Sequence, residues 1–217
     1  MSDDGFARER RAMVEHQLKA RGIRDPRVLA AMAAVPRERF VGAGDERFAY
    51  DDGPLPIGRH QTISQPYVVA LMLELAAVGP DERLLEVGAG SGYVLAVAAQ
   101  LAQEVVGVER HADLAREARA RLAALGVANA RVVEGDGTEG LPDAGPFDAI
   151  VVSAGAPEVP PALRRQLAVG GRLVVPRGGP GFQVLERIVR EPDGGFGTTA
   201  HGGVAFVPLV GNEITPG

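Results

Sequence analysis

The chain has 217 residues, 46% hydrophobic and 24% charged. At about 150 residues per domain this is one compact domain with additions, and the balance weighs against wholesale disorder. Lys and Arg number 23 against 28 Asp and Glu, a net charge of −5, which disfavours a dedicated binder of nucleic acid or anionic membrane, and the absence of cysteine removes disulfide frameworks, thiolate metal sites and cysteine nucleophiles.

Residues 1–11 are charged and carry no apolar signal core, and no run approaches the ~18 apolar residues that would span a bilayer. A cytoplasmic protein without membrane attachment is expected. Residues 6–21 read as a helix with apolar positions at Met13, Val14 and Leu18, stopped by Gly22. Its Lys19 is the only lysine, which argues against Schiff-base chemistry. Asp25 and Pro26 read as an N-cap and first-turn proline opening a second helix through Val28, Leu29 and Met32 that stops at Pro36. Residues 41–63, rich in Gly, Asp and Pro, read as an irregular loop long enough to suggest function. Pro66 opens a third helix through Val69, Leu71, Met72 and Leu75.

From residue 83 short apolar runs alternate with helical stretches, the mark of βαβ units around a parallel sheet. The predicted strands are 84–87, 105–108, 132–134, 147–152 and 173–175. Leu114, Ala118, Leu122 and Leu125 step along one face of a crossover helix. Near the end, 184–190 and 204–210 are expected to pair antiparallel across the Gly-rich stretch 193–203. The fold class is therefore α/β: a doubly wound, mostly parallel, Rossmann-like sheet with an N-terminal helical addition, residues 1–80, packed on a core of residues 81–217 that ends in antiparallel strands.

Glu86, Val87, Gly88, Ala89, Gly90, Ser91 and Gly92 follow the first strand of that sheet and precede a helix. Glycines there let the backbone turn sharply and approach a ligand at the carboxyl edge of the sheet. Tyr93 occupies the sixth position, where the dinucleotide fingerprint wants Gly or Ala, and no Gly-Lys-Ser/Thr follows, so neither NAD nor a phosphate-binding P-loop fits well. Twenty-one positions after Gly88, Glu109 ends the second strand, where a carboxylate can accept from both ribose hydroxyls. Gly135, Asp136 and Gly137 close the third strand, with Asp136 placed to accept from an exocyclic adenine amine. Three strand ends converge on one nucleoside. The acidic Glu86 suits a ligand with an amino group or sulfonium charge, and S-adenosylmethionine has both. For each acid the plain alternative stays open: a loop-capping carboxylate for Glu86, a solvated charge for Glu109, a turn residue for Asp136.

Beyond these features, the sequence resembles the protein-L-isoaspartate O-methyltransferases over residues 11–211. The most specific stretch is Leu55, Pro56, Ile57, Gly58 followed by Gln61, Thr62, Ile63, Ser64, Gln65, Pro66, Tyr67; further matches are 34–40, 86–93, 135–137, 147–152, 157–162, 171–176 and 206–209. The resemblance implies methyl transfer from S-adenosyl-L-methionine, leaving S-adenosyl-L-homocysteine, to the free carboxylate of isoaspartyl residues in damaged proteins, by a monomer with no nucleic-acid partner and no metal. It implies Ser64 as the catalytic residue, cofactor contacts at Ser64, Glu86, Gly88, Ala89, Gly90, Glu109, Arg110, Asp136 and Gly137, and substrate contacts at His60, Ile63, Arg177 and Val207. His60, Arg177, Ser153 and Gly155 depart from the family's usual residues. Ser64 can also be an N-cap for the helix opening at Pro66. The alternatives are a carboxyl methyltransferase for a specific aspartyl peptide or other acid, a nicotinamide-binding oxidoreductase, and a module that binds the cofactor without turnover.

Overall fold

A computed structural model describes residues 5–212. Helix α1 (Ala7–Met13) continues through a π turn (Val14–Leu18) and a 3₁₀ turn (Lys19–Arg21) to Gly22 at φ 101°, so the N-terminal helix is present but changes its hydrogen-bond spacing midway. Gly22 stops it because the left-handed conformation there carries no Cβ penalty. The Asp25 side chain accepts from the Arg27 N–H at 2.8 Å and Pro26 starts α2 (Pro26–Ala34), as the capping pattern predicts.

The segment expected to be irregular contains a hairpin, strands β1 (Leu55–Gly58) and β2 (Gln61–Ile63). Its turn residues Arg59 and His60 both have positive φ, 53° and 58°. Such a turn matches the twist of paired strands but is usually announced by Asn-Gly or Asp-Gly, so its sequence concealed it. Pro66 opens α3 (Pro66–Ala76) with Gln65, not Ser64, at the N-cap and no side-chain cap bond. The N-cap reading of Ser64 is thus overturned.

The remaining strands, β3 (Arg83–Val87), β4 (Glu104–Glu109), β5 (Ala130–Glu134), β6 (Phe147–Val152), β7 (Leu167–Arg177), β8 (Gln183–Arg190) and β9 (Phe196–Val204), form one sheet in the order 5-4-3-6-7-8-9. The first five in that order run parallel; β8 and β9 are antiparallel. The final hairpin differs from expectation. The Gly-rich stretch is itself strand β9, with Gly197 to Ala200 in register with Val189 to Glu186. Residues 205–210 instead cross back over the carboxyl ends of the parallel strands, where the Gly155 N–H donates to the Val207 carbonyl at 2.8 Å and the Leu209 N–H to the Gly155 carbonyl at 2.7 Å. Glycine's low strand preference hid a strand whose own side chains are largely exposed.

Helix α4 (Tyr93–Ala98) follows β3, and α5 (Ala112–Ala124) follows β4, burying Leu114, Ala115, Ala118 and Leu122. Strand alternation divides the core. Leu84 packs with the N-terminal helices, α3 and α4, while Leu85 and Val87 pack on the opposite face with Phe147, Ile150 and Leu173. Glu86 falls on the Leu84 side, a carboxylate in an apolar layer. Among the described residues no helix is long and apolar enough to cross a membrane.

Candidate functional site

The parallel strands reverse direction of winding at β3, which has β4 on one side and β6 on the other, the point where open α/β sheets bind ligands. A cleft of about 820 Å³ of open space sits there, lined by the loop after β3, the end of β4, the segment 61–64 and the returning segment 207–210.

The loop is held from beneath. The Gly88 and Ala89 N–H groups donate to the Val108 carbonyl at 2.9 and 3.1 Å. Gly90, at φ 51°, sits under the hairpin, where a Cβ would come within 3.2 Å of Ile57 Cδ1. Glu109 is 5% exposed, and its Oε2 accepts from the Gly90 N–H and its Oε1 from the His111 N–H, both at 2.9 Å. The carboxylate is therefore no solvated surface charge. It fixes two loops and keeps lone pairs on both oxygens for a further donor.

Glu86 is the most telling residue. It is 1% exposed; Oε1 receives the Ser153 hydroxyl at 2.9 Å, and Oε2 is buried with no hydrogen-bond partner. Burial, with Glu109 nearby, pushes its pKa well above the ordinary carboxylate range. A buried acceptor left unpaired is costly, and this one lines the cleft. A cationic N–H donor satisfies it, which is the chemistry of the amino group of S-adenosylmethionine, and the ionised carboxylate also attracts the sulfonium charge. The residues present fit that cofactor.

Of the other residues singled out in the sequence, Ile63, Ser64, Gly88, Ala89, Gly90, Arg110, Gly137 and Val207 also line the cleft. Asp136 does not. Its Oδ1 accepts from the Thr138 N–H and hydroxyl at 2.9 and 2.7 Å and its Oδ2 from the Asn212 N–H at 2.6 Å, so it clasps the returning C-terminal segment instead of facing the cleft. Arg110 donates to the Val210 carbonyl at 3.3 Å, reinforcing the same strap. His60 sits in the hairpin turn outside the cleft. Arg177 makes a two-pronged pair with Glu186, at 2.8 and 2.7 Å, and faces a separate recess with Glu158 and Arg164.

A second, wider cavity of about 1760 Å³ of open space adjoins the cleft, and Thr62, Ser64, Ser153 and Val207 line both. Its other walls come from Arg21, Tyr67, Leu71, Phe182, His201 and Phe206. The Arg21 guanidinium lies 3.7 Å from the Tyr67 ring centroid and its Nη1 is 3.0 Å from the Asp52 carboxylate. Sequence reasoning missed this wall. Its members come from four distant segments, and no local signal gathers them. Among the described residues no group of three or more His, Cys, Asp or Glu could hold a metal ion.

Gly137 offers a test of the cleft's packing. A Cβ there would lie 2.6 Å from Val87 Cγ1, a buried atom with nowhere to go. Gly137→Ala is expected to cost about 1–3 kcal/mol by overpacking, read as a lowered Tm, and to weaken binding of S-adenosyl-L-homocysteine measured by calorimetry.

A family model described as protein-L-isoaspartate(D-aspartate) O-methyltransferase matches residues 8–214. Similar chains include a protein-L-isoaspartate O-methyltransferase of Methylorubrum populi, 57% identical with 97% of each chain covered, and that of Methanoregula boonei, 55% identical with 94% of this chain and 93% of the relative covered. Among solved structures, a Plasmodium falciparum protein assigned as a protein-L-isoaspartate O-methyltransferase, in complex with S-adenosyl-L-homocysteine, superposes with a TM-score of 0.79 at 29% identity, over 94% of this chain and 99% of that one.

Proposed function

The chain belongs to the protein-L-isoaspartate(D-aspartate) O-methyltransferase family, and from that premise we propose that it transfers a methyl group from S-adenosyl-L-methionine to the free carboxylate of L-isoaspartyl residues in damaged proteins and peptides, initiating their repair. The observation that carries the reading is the shared wall: Ser64 lines both the cleft that fits the cofactor and the wider cavity beside it. In this reading one residue borders donor and acceptor together.

When bound, the cofactor supplies an electrophilic methyl group on a sulfonium. The rest falls to the protein. Glu86 offers its unpaired oxygen to a cationic donor, Glu109 its free lone pairs to hydroxyls, and Gly88, Ala89, Gly90, Arg110 and Gly137 shape the cleft around them. The acceptor carboxylate is ionised at neutral pH and needs no general base, consistent with a site that holds no His-Asp pair. Catalysis then rests on alignment in a water-poor site, worth up to about 7–11 kcal/mol in favourable cases. Ser64 donates its O–H to the incoming carboxylate and sets its line of approach.

The wider cavity, with Tyr67, Leu71, Phe182 and Phe206, receives the peptide around the isoaspartyl residue; Val207 borders it on the cleft side, and Ile63 lines the cleft next to Ser64. Asp136 acts on the cofactor indirectly, by holding the C-terminal segment over the cleft. His60 and Arg177 kept open an acceptor other than isoaspartate, and their placement away from both cavities leaves that alternative without support. In this reading residues 1–80 are the acceptor-side addition to a cofactor-binding core of residues 81–217, the two acting as one unit, and the enzyme works as a cytoplasmic monomer on isoaspartyl proteins without nucleic acid.

The test is transfer of labelled methyl to an isoaspartyl peptide, with the ordinary aspartyl isomer as control. Strong preference for the isoaspartyl form supports the reading; equal rates, or none with either, overturn it. Phe182 is 66% exposed on the rim of the wider cavity. Phe182→Ala is expected to raise the KM for peptide by roughly 3- to 10-fold, the worth of partial aromatic burial, with cofactor affinity unchanged.

A further inference from the structure

Arg37 lies between α2 and the hairpin, in the short 3₁₀ turn Arg37–Arg39, and is 0% exposed. An arginine so deeply buried is normally neutralised by a carboxylate. This one is not: no carboxylate pairs with it among the described residues, and the neighbouring Glu38 is taken by Arg10, at 3.2 Å, and by the Tyr50 hydroxyl. Its guanidinium is spent on backbone carbonyls instead. Nε donates to the Ala49 carbonyl at 2.7 Å and Nη2 to the Ser64 carbonyl at 2.8 Å, while Nη1 has no hydrogen-bond partner. The guanidinium carbon stands 4.9 Å from the centroid of Tyr93, the first residue of α4 and part of the cleft wall.

These contacts converge on one place. Ser64 sits in the single stretch of irregular backbone between β2 and α3, with no side-chain cap bond to fix it. The Arg37 fork ties its peptide carbonyl to the chain at Ala49, and the same planar group lies against the residue that closes the glycine loop. Burial pushes the Arg37 pKa down, because desolvation disfavours the charged form.

We propose that Arg37 is a positioning residue for methyl transfer: its guanidinium fixes Ser64, through the Ser64 carbonyl, against the glycine-loop side of the cleft. This rests on the assignment of Ser64 to the reaction. Lysine retains the charge but offers one compact ammonium that cannot span both carbonyls as the planar fork does.

The test is a double-mutant cycle of Arg37→Lys with Ser64→Ala. The readouts are kcat and KM for an isoaspartyl peptide, S-adenosyl-L-homocysteine affinity by calorimetry, and Tm. Arg37→Lys is expected to lower kcat at least 10-fold when Ser64 is present and less than 3-fold in the Ser64→Ala background, with S-adenosyl-L-homocysteine affinity within 3-fold of the parent in both. Equal losses of kcat in the two backgrounds, or a loss of cofactor affinity that tracks the fall in kcat, would show a general structural role and overturn the proposal. Wild-type turnover in Ser64→Ala alone would overturn the Ser64 assignment and this proposal with it. Should Arg37→Lys fail to fold, the same cycle with Arg37→Gln, which is neutral and keeps an amide NH₂ as donor, decides between the same outcomes.

Discussion

Replacing Ser64 by alanine is expected to lower kcat by about 10²–10³-fold, the usual cost of deleting one positioned hydrogen-bond donor at a reacting centre, while the affinity for S-adenosyl-L-homocysteine stays within a few-fold of the parent. The separation follows from position. Ser64 stands at the boundary between the cleft and the wider cavity, so in the proposed reading its hydroxyl meets the acceptor, whereas the charged partner assigned to the cofactor is Glu86. Stability should change little, within ~0.5 kcal/mol, because the Ser64 side chain caps no helix. Single-turnover methylation of an isoaspartyl peptide, calorimetric titration and a thermal melt measure the three quantities. Parental turnover in the variant would remove Ser64 from the reaction.

Glu86→Gln is expected to act on the other half of the chemistry. A hydrogen bond to a charged group is worth about 1.5–3 kcal/mol, so the Kd for S-adenosyl-L-homocysteine should rise roughly 10- to 150-fold. The pH dependence gives the sharper signature. In the free enzyme the Glu86 pKa lies well above the ordinary carboxylate value because the group is buried beside Glu109. A cationic donor prefers the ionised form, so across the window between the ordinary and the raised pKa, binding expels a proton and affinity increases with pH, levelling off above the raised value.

Stability runs the opposite way. In that window the folded protein holds a proton that the unfolded chain has released, so the ligand-free enzyme loses stability as pH rises. Glutamine cannot ionise. The variant should lose the slope in affinity and, without ligand, melt at least as high as the parent above the window. Titrations in buffers of different ionisation enthalpy count the proton; an unchanged slope in Glu86→Gln would assign the titration to another group.

The two expectations draw on information of different range. Glu86 was legible as a candidate because a lone acid in an apolar strand, directly before a glycine-rich turn, is a local pattern with few explanations. Its unpaired oxygen was not legible, since the partner of the other oxygen, Ser153, is 67 positions away. Glu109 falls at a strand end, as its spacing predicts, yet its grip on the Gly90 and His111 N–H groups depends on how the loop folds back. Asp136 shows the opposite case. Its strand end lies where a ligand contact was expected, but the returning chain supplies the Asn212 N–H and the carboxylate turns to it. Local spacing puts a residue at an edge; competing donors decide where its side chain points.

The hairpin of β1 and β2 and the late strand β9 escaped for a related reason. Arg59 and His60 adopt a turn more usual for Asn and Gly, and β9 is rich in glycine and nearly devoid of apolar alternation. The hairpin is held by the pairing of its own two strands and β9 by its pairing with β8, influences that intrinsic preference does not report.

By itself, then, the sequence determined the parallel βαβ core, the glycine loop after its first strand and the acids at successive strand ends, because helix period, strand period and turn chemistry act over a few residues. Only the tertiary structure decided which of those acids face the cleft, that Ser64 borders a second cavity, and that Arg37 grips the Ser64 carbonyl from 27 positions away. Contacts of that span are fixed when distant apolar faces pack together and buried polar groups must find whatever partners the packing leaves within reach.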